Sequence, residues 1–244
     1  MLGLPREVSA CLFDMDGVVT QTATVHDAAW KQMFDEFLRS RSAASGGKFV
    51  PFDPVTDYDQ YVDGKPRLEG TQSFLASRGI ELPTGTPDDS AGSLTLWGLS
   101  NRKNDLVQEV LKRDGVEVYE GSRRYLAAVR AAGVRTALVS SSANTALVLA
   151  AGGVTDLFDV TVDAHVAEAR GLRGKPAPDT YLAAASMLGV QPSDAAVFED
   201  ALVGVGAGHA GGFGVVVGVD RVGQAAQLRE HGADIVVKDL GDLL

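Results

Sequence analysis

The chain has 244 residues, 45% of them hydrophobic and 22% charged, the balance of a globular protein able to bury a core without cross-links. A formal charge of −10 and a pI near 4.8 work against nucleic acid or an anionic membrane as the main partner. One cysteine, Cys11, excludes an internal disulfide, and with no leader-like opening and no apolar run near the ~20 residues of a membrane span, a cytoplasmic protein is expected.

Val8 to Phe13 is an apolar run ended by acids and Gly17, which predicts a short buried strand. From Val25 to Leu38 the apolar residues recur at helical spacing, and Ser40 to Pro54, with its serines, glycines and two prolines, predicts a loop. Leu68–Ser77 and Leu94–Leu111 read as helices, with Gly79 and Gly115 as stops. After that the pattern changes. Val134–Val139, Ala195–Phe198, Gly214–Val219 and Asp234–Val237 are short β-prone runs, separated by helical stretches at Arg123–Ala132, Thr145–Ala151, Asp179–Leu188 and Ala201–Ala210. Strands alternating with helices predict an α/β fold with a mostly parallel, Rossmann-like sheet. The opening strand belongs with this half, which gives a catalytic core at residues 1–21 and 119–244 and an inserted helical cap domain at 22–118.

In a parallel sheet, ligands bind at the C-terminal strand ends. Here those ends and the nearby loops carry Asp14-Met-Asp16, Ser140-Ser-Ser142, Lys175-Pro-Ala-Pro-Asp179 and Glu199-Asp200. A carboxylate such as Asp14 can attack phosphorus and hold the group as an acyl phosphate. Asp16 can donate a proton to the leaving oxygen and later take one from the attacking oxygen. Asp14, Asp200 and Glu199 would repel one another without a cation among them, and an all-oxygen set completed by a substrate phosphate suits Mg²⁺. Ser140 and Lys175 supply a hydrogen bond and a positive charge to the same phosphate. Each piece alone has a bland reading: a turn, a helix cap, a dipole complement. All four in order on one sheet point to phosphoryl transfer to an aspartate.

These segments resemble the four motifs of the haloacid dehalogenase (HAD) superfamily over nearly the whole chain. Phe13 to His26 followed by Trp30-Lys31, together with Gly64-Lys-Pro-Arg67 and Arg102-Lys-Asn-Asp105, extends the resemblance to its β-phosphoglucomutase-like subgroup. The resemblance implies that Asp14, the Asp16 carbonyl, Glu199 and Asp200 surround Mg²⁺. It implies that Ser140, the Ser141 amide and Lys175 hold the reacting phosphate. Gly64 would lie in the cap loop that carries Arg67, with Arg67, Ser142 and Asn144 gripping a second phosphate. His26, Trp30 and Lys103 would belong to the sugar-binding set. A cis Lys175–Pro176 bond is a further implication. The expected reaction interconverts β-glucose 1-phosphate and glucose 6-phosphate through a bisphosphate, with a sugar-phosphate phosphatase as the alternative. A monomer is expected, with oligomers left open.

The chain departs from that pattern at Ala143, where a lysine is expected, at Gln21, which replaces an acid, and in the long Ser40–Pro54 stretch. These bear on substrate choice, not on reaction class. Gly206-Ala-Gly-His-Ala-Gly211 fits a dinucleotide fingerprint in letters, but its glycines fall within and at the end of a helix, where close packing on the sheet is the expected role. His165, His209 and His231 form no zinc cluster in the sequence.

Overall fold

A computed structural model describes residues 2–5 and 8–244. Two compact units emerge: Met1–Thr22, Gly64–Pro66 and Val116–Leu244 form one, and Ala23–Asp63 with Arg67–Gly115 form the other.

The first unit is built on a six-stranded sheet, with β1 Ala10–Phe13, β2 Arg135–Val139, β3 Val160–Val162, β4 Ala195–Glu199, β5 Val215–Val219 and β6 Ile235–Val237 in the order β3-β2-β1-β4-β5-β6. Every neighbouring pair is parallel. All four residues of β1 are buried, as a central strand covered on both faces requires. Its alternate side chains serve two cores. Ala10 and Leu12 meet Tyr181, Ala184 and Leu188 from α7 (Asp179–Leu188). Phe13 stacks on Phe198 at 4.5 Å and meets Tyr125 of α4 (Glu120–Ala131) edge-on at 6.3 Å. The remaining helices are α5 (Thr145–Gly152), α6 (Ala164–Arg170), α8 (Leu202–Ala210) and α9 (Ala225–Glu230). In α8, a Cβ on Gly208 would press on Val197 and Val216, so the glycine-rich run lets this helix lie close on β4 and β5.

Register decides what reaches the carboxyl edge. Phe13 lies level with Leu138 and Phe198, so Asp14 comes level with Glu199 and with Val139, and Ser140 follows one residue further along. The Asp14 amide donates to the Phe198 carbonyl at 2.9 Å, and the Ser140 amide to the Val162 carbonyl at 3.0 Å. Both residues thus remain tied to neighbouring strands at the point where the chain turns away.

The second unit packs α1 (Ala23–Ser45) and α2 (Arg67–Ser77) against α3 (Leu96–Asp114). Phe34, Phe52 and Phe74 form its centre, with ring centroids 4.1–5.3 Å apart. Thr95 caps α3 by accepting from the Gly98 amide at 2.9 Å. Two expectations need correction. The loop predicted from Ser40 begins only at Gly46: Ser40–Ser45 continue α1, because Arg41, Ala43 and Ala44 favour helix and no breaker precedes Gly46, which takes φ +68°. Strand β3 has no counterpart among the predicted runs, since three residues between two aspartates carry almost no periodic signal. Among the described residues, no helix is long and apolar enough to cross a membrane.

Candidate active site

The centre of the carboxyl edge is a buried ion cluster. Lys175 is 1% exposed and contacts both Asp14 Oδ1 and Glu199 Oε1, the latter at 2.6 Å. The Tyr181 hydroxyl donates to the same Glu199 oxygen at 2.7 Å, and the Ala201 amide donates to the other at 3.3 Å. The Lys175 ammonium also stands 5.2 Å over the Tyr181 ring. Lys175 reaches this position after Gly174 on a short turn whose Lys175–Pro176 bond is cis.

Electrostatics follow from that packing. Burial raises the Asp14 carboxyl well above the ordinary carboxylate range; Lys175 opposes this, and Glu199 and Asp16 add to it. Burial also works against the Lys175 charge, but Asp14 and Glu199 outweigh it and hold the ammonium protonated. The Lys175 ammonium thus bridges Asp14 and Glu199, and Asp16 adds its own charge beside Asp14. Oxygen atoms of Asp14, Glu199 and Asp200 lie within 4.8 Å of one another. Such a set offers only hard oxygen donors, which fits a divalent cation of the Mg²⁺ type.

The nucleophile loop is shaped locally. The Val19 and Thr20 amides both donate to the Met15 carbonyl at 2.9 Å, and the Gly17 amide donates to the Thr20 carbonyl at 2.8 Å. Gly17 takes φ +85°, and a Cβ there would collide with the Asp200 carboxylate, so only glycine lets the two loops meet. Thr22 donates to Asp16 Oδ1, backed by Thr20 at 2.7 Å between hydroxyl oxygens. The Ser140 hydroxyl accepts from the Ser142 amide and the Ser142 hydroxyl from the Asn144 amide, both at 3.1 Å, while Ser141 donates to the Gly64 carbonyl at 2.9 Å. Ser140, Ser142 and Asn144 are buried.

The remaining residues singled out in the sequence lie in the helical unit. Lys103 is buried, with its ammonium 2.6 Å from His26 Nδ1 and 4.7 Å from the Trp30 ring centre, so these three are brought together. Arg67 opens α2, donates to Asn101 Oδ1 at 3.4 Å and lies over Trp97 at 5.7 Å. Sequence reasoning missed Tyr181, which fastens Glu199. Its reach to Glu199, 18 residues on, is made by the packing of α7 on the sheet.

The sequence model of the haloacid dehalogenase-like hydrolases matches residues 8–212. The chain is 57% identical over 247 residues to the β-phosphoglucomutase of Mycobacterium tuberculosis, covering 100% of this chain and 94% of the relative. It is 31% identical to the β-phosphoglucomutase of Bacillus subtilis, covering 97% and 92%. The crystal structure of β-phosphoglucomutase from Clostridium difficile shares the fold, with a TM-score of 0.75 over 97% of this chain and 93% of its own, at 24% identity. With these matches and the four-motif carboxyl edge, the chain belongs to the haloacid dehalogenase-like hydrolase family, in its β-phosphoglucomutase-like subgroup.

Proposed function

We propose that the chain interconverts β-D-glucose 1-phosphate and D-glucose 6-phosphate through an aspartyl phosphate on Asp14 and β-glucose 1,6-bisphosphate. The reaction class is supported by the buried Asp14–Lys175–Glu199 cluster at the strand ends. The observation that carries the mutase reading is the 57% identity across the full chain to a relative named for that reaction.

In this reading Asp14 attacks the phosphorus of the bisphosphate, the ester P–O bond breaks, and Asp16 gives its proton to the departing sugar hydroxyl. The phosphoryl group on Asp14 then passes to the 6-hydroxyl of β-glucose 1-phosphate, whose proton returns to Asp16, so the bisphosphate is regenerated and the Asp14 carboxylate is freed. Lys175 holds the Asp14 carboxylate in place and offsets its charge. Ser140 and the Ser141 amide take phosphate oxygens. Asp14, Glu199, Asp200 and the Asp16 carbonyl would hold Mg²⁺, which when bound neutralises charge on the transferring group. His26, Trp30, Gly64, Lys103, Arg67, Ser142 and Asn144 serve the sugar and its second phosphate, Arg67 as the phosphate grip. The proposal takes the monomer as the working unit and the cytoplasm as its setting.

The test is a coupled assay of β-glucose 1-phosphate with catalytic bisphosphate and Mg²⁺. Glucose 6-phosphate should form in wild type and be lost in Asp14→Asn and Asp16→Ala. Unchanged turnover in both variants would end the assignment. Mostly inorganic phosphate as product would make the chain a sugar-phosphate phosphatase instead.

A further inference from the structure

We propose that Arg221 and Gln224, on the loop leaving β5, are positioning residues that clamp the nucleophile loop and the Asp200 loop at a fixed separation. The inference rests on the phosphoryl-transfer reading and adds to it a part of the core remote in sequence from the four motifs.

The loop is stiff, because Asp220 Oδ1 accepts from the Gly223 amide at 2.7 Å and the Gln224 amide at 2.8 Å. From it, Arg221 Nε donates to the Gly17 carbonyl at 2.7 Å, in the turn that carries Asp14 and Asp16. Three residues on, Gln224 Nε2 donates to the Asp200 carbonyl at 3.0 Å. Gly17 and Asp200 are themselves in close contact, with no room for a Cβ. One loop thus grips both acidic loops by their backbones at the point where they touch.

Arg221 is built into this place at some cost. Its guanidinium lies 3.6 Å over the Tyr119 ring, and Nη1 donates to the Lys238 carbonyl at 2.8 Å and to Asp239 at 3.4 Å. Its Nη2 is buried with no hydrogen-bond partner among the described residues, a penalty that a surface arginine would avoid by turning to water. These contacts go to backbone carbonyls, Asp239 and the Tyr119 face, with no catalytic carboxylate among them. Its action on the chemistry is therefore through geometry, as with the outer partners of metal ligands. A planar fork stacked on a ring can make the Gly17 and Lys238 bonds together, which a lysine ammonium cannot.

The experiment compares wild type with Arg221→Gln, Arg221→Lys and Gln224→Met, and uses the exposed neighbour Val222→Ser as control. Three quantities are read: kcat at saturating substrate, Mg²⁺ affinity of the unphosphorylated protein by calorimetry, and Tm. Arg221→Gln should weaken Mg²⁺ binding and lower kcat, each by roughly 10–100-fold, with KM for the sugar phosphate within about threefold of wild type. Arg221→Lys should not restore either, Gln224→Met should shift both the same way by less, and Val222→Ser should match wild type. Wild-type Mg²⁺ affinity and kcat per folded molecule in Arg221→Gln would overturn the clamp, even with a lowered Tm. Should Arg221→Gln not fold, Arg221→Lys and Gln224→Met decide by the same two readouts. An inactive wild type, or an active Asp14→Asn, would refute the functional reading instead and is seen in the same assay.

Discussion

Replacing Tyr181 by phenylalanine removes one oxygen from the centre of the site and leaves the ring in place. The lost hydroxyl donates at 2.7 Å to Glu199 Oε1, in a pair whose members are both fully buried. A hydrogen bond to a charged group is worth about 1.5–3 kcal/mol. Glu199 keeps its 2.6 Å contact with Lys175 and the amide of Ala201, so no carboxylate is left bare and the lower half of that range applies. The unfolding equilibrium of the core should shift by roughly 10–40-fold, using 1.4 kcal/mol per decade. Urea denaturation followed by far-UV circular dichroism measures this, and hydrogen exchange at the β4 amides localises it. The Tyr181→Phe variant has no hydroxyl to orient Glu199, so Mg²⁺ affinity should also fall. A variant as stable as wild type, with unchanged Mg²⁺ binding, would refute the claim that Tyr181 fastens Glu199.

Gly17→Ala should lower kcat by about 10²-fold or more, since φ +85° and the collision with Asp200 force the acidic loops apart; steady-state kinetics on the folded variant checks it. Burial pushes the Cys11 thiol up to about 12, so at pH 8 a thiol reagent should modify native protein roughly a thousandfold more slowly than urea-unfolded protein. The Thr136 amide holds the Asp159 carboxyl below its ordinary value of 3.8. A depressed folded-state value means the stabilisation is present at neutral pH and is lost as pH falls below about 4 through the folded value. Asp159→Asn should therefore cost up to about 1 kcal/mol at pH 7, given its partial exposure, and progressively less as the pH is lowered through the acid range, as read by denaturant midpoints.

All the strands but β3 and most of the core helices were legible because each signal was local. Ala-Cys-Leu-Phe before Asp14 and Ala-Ala-Val-Phe before Glu199 are apolar runs that stop at acids, and such runs form buried parallel strands whatever surrounds them. The far end of α1 was hidden by its serines, which favour loops and caps, although Arg41, Ala43 and Ala44 carry the helix to Gly46. The residues of the carboxyl edge could be named from the sequence since Asp14, Ser140 and Asp200 follow strands and Lys175 precedes a helix. How they join could not: the Lys175 bridge between Asp14 and Glu199 spans 161 residues on one side, and the Arg221 bond to Gly17 spans 204. Tyr181 and Arg221 act through contacts that only the fold assembles.

The central claim is that the phosphoryl group on Asp14 passes to a sugar in preference to water. Its most direct test is a single turnover of enzyme carrying labelled phosphate on Asp14, mixed with glucose 6-phosphate and Mg²⁺. The label should appear in glucose bisphosphate. Label released mainly as inorganic phosphate, with glucose 6-phosphate present in excess, would contradict it.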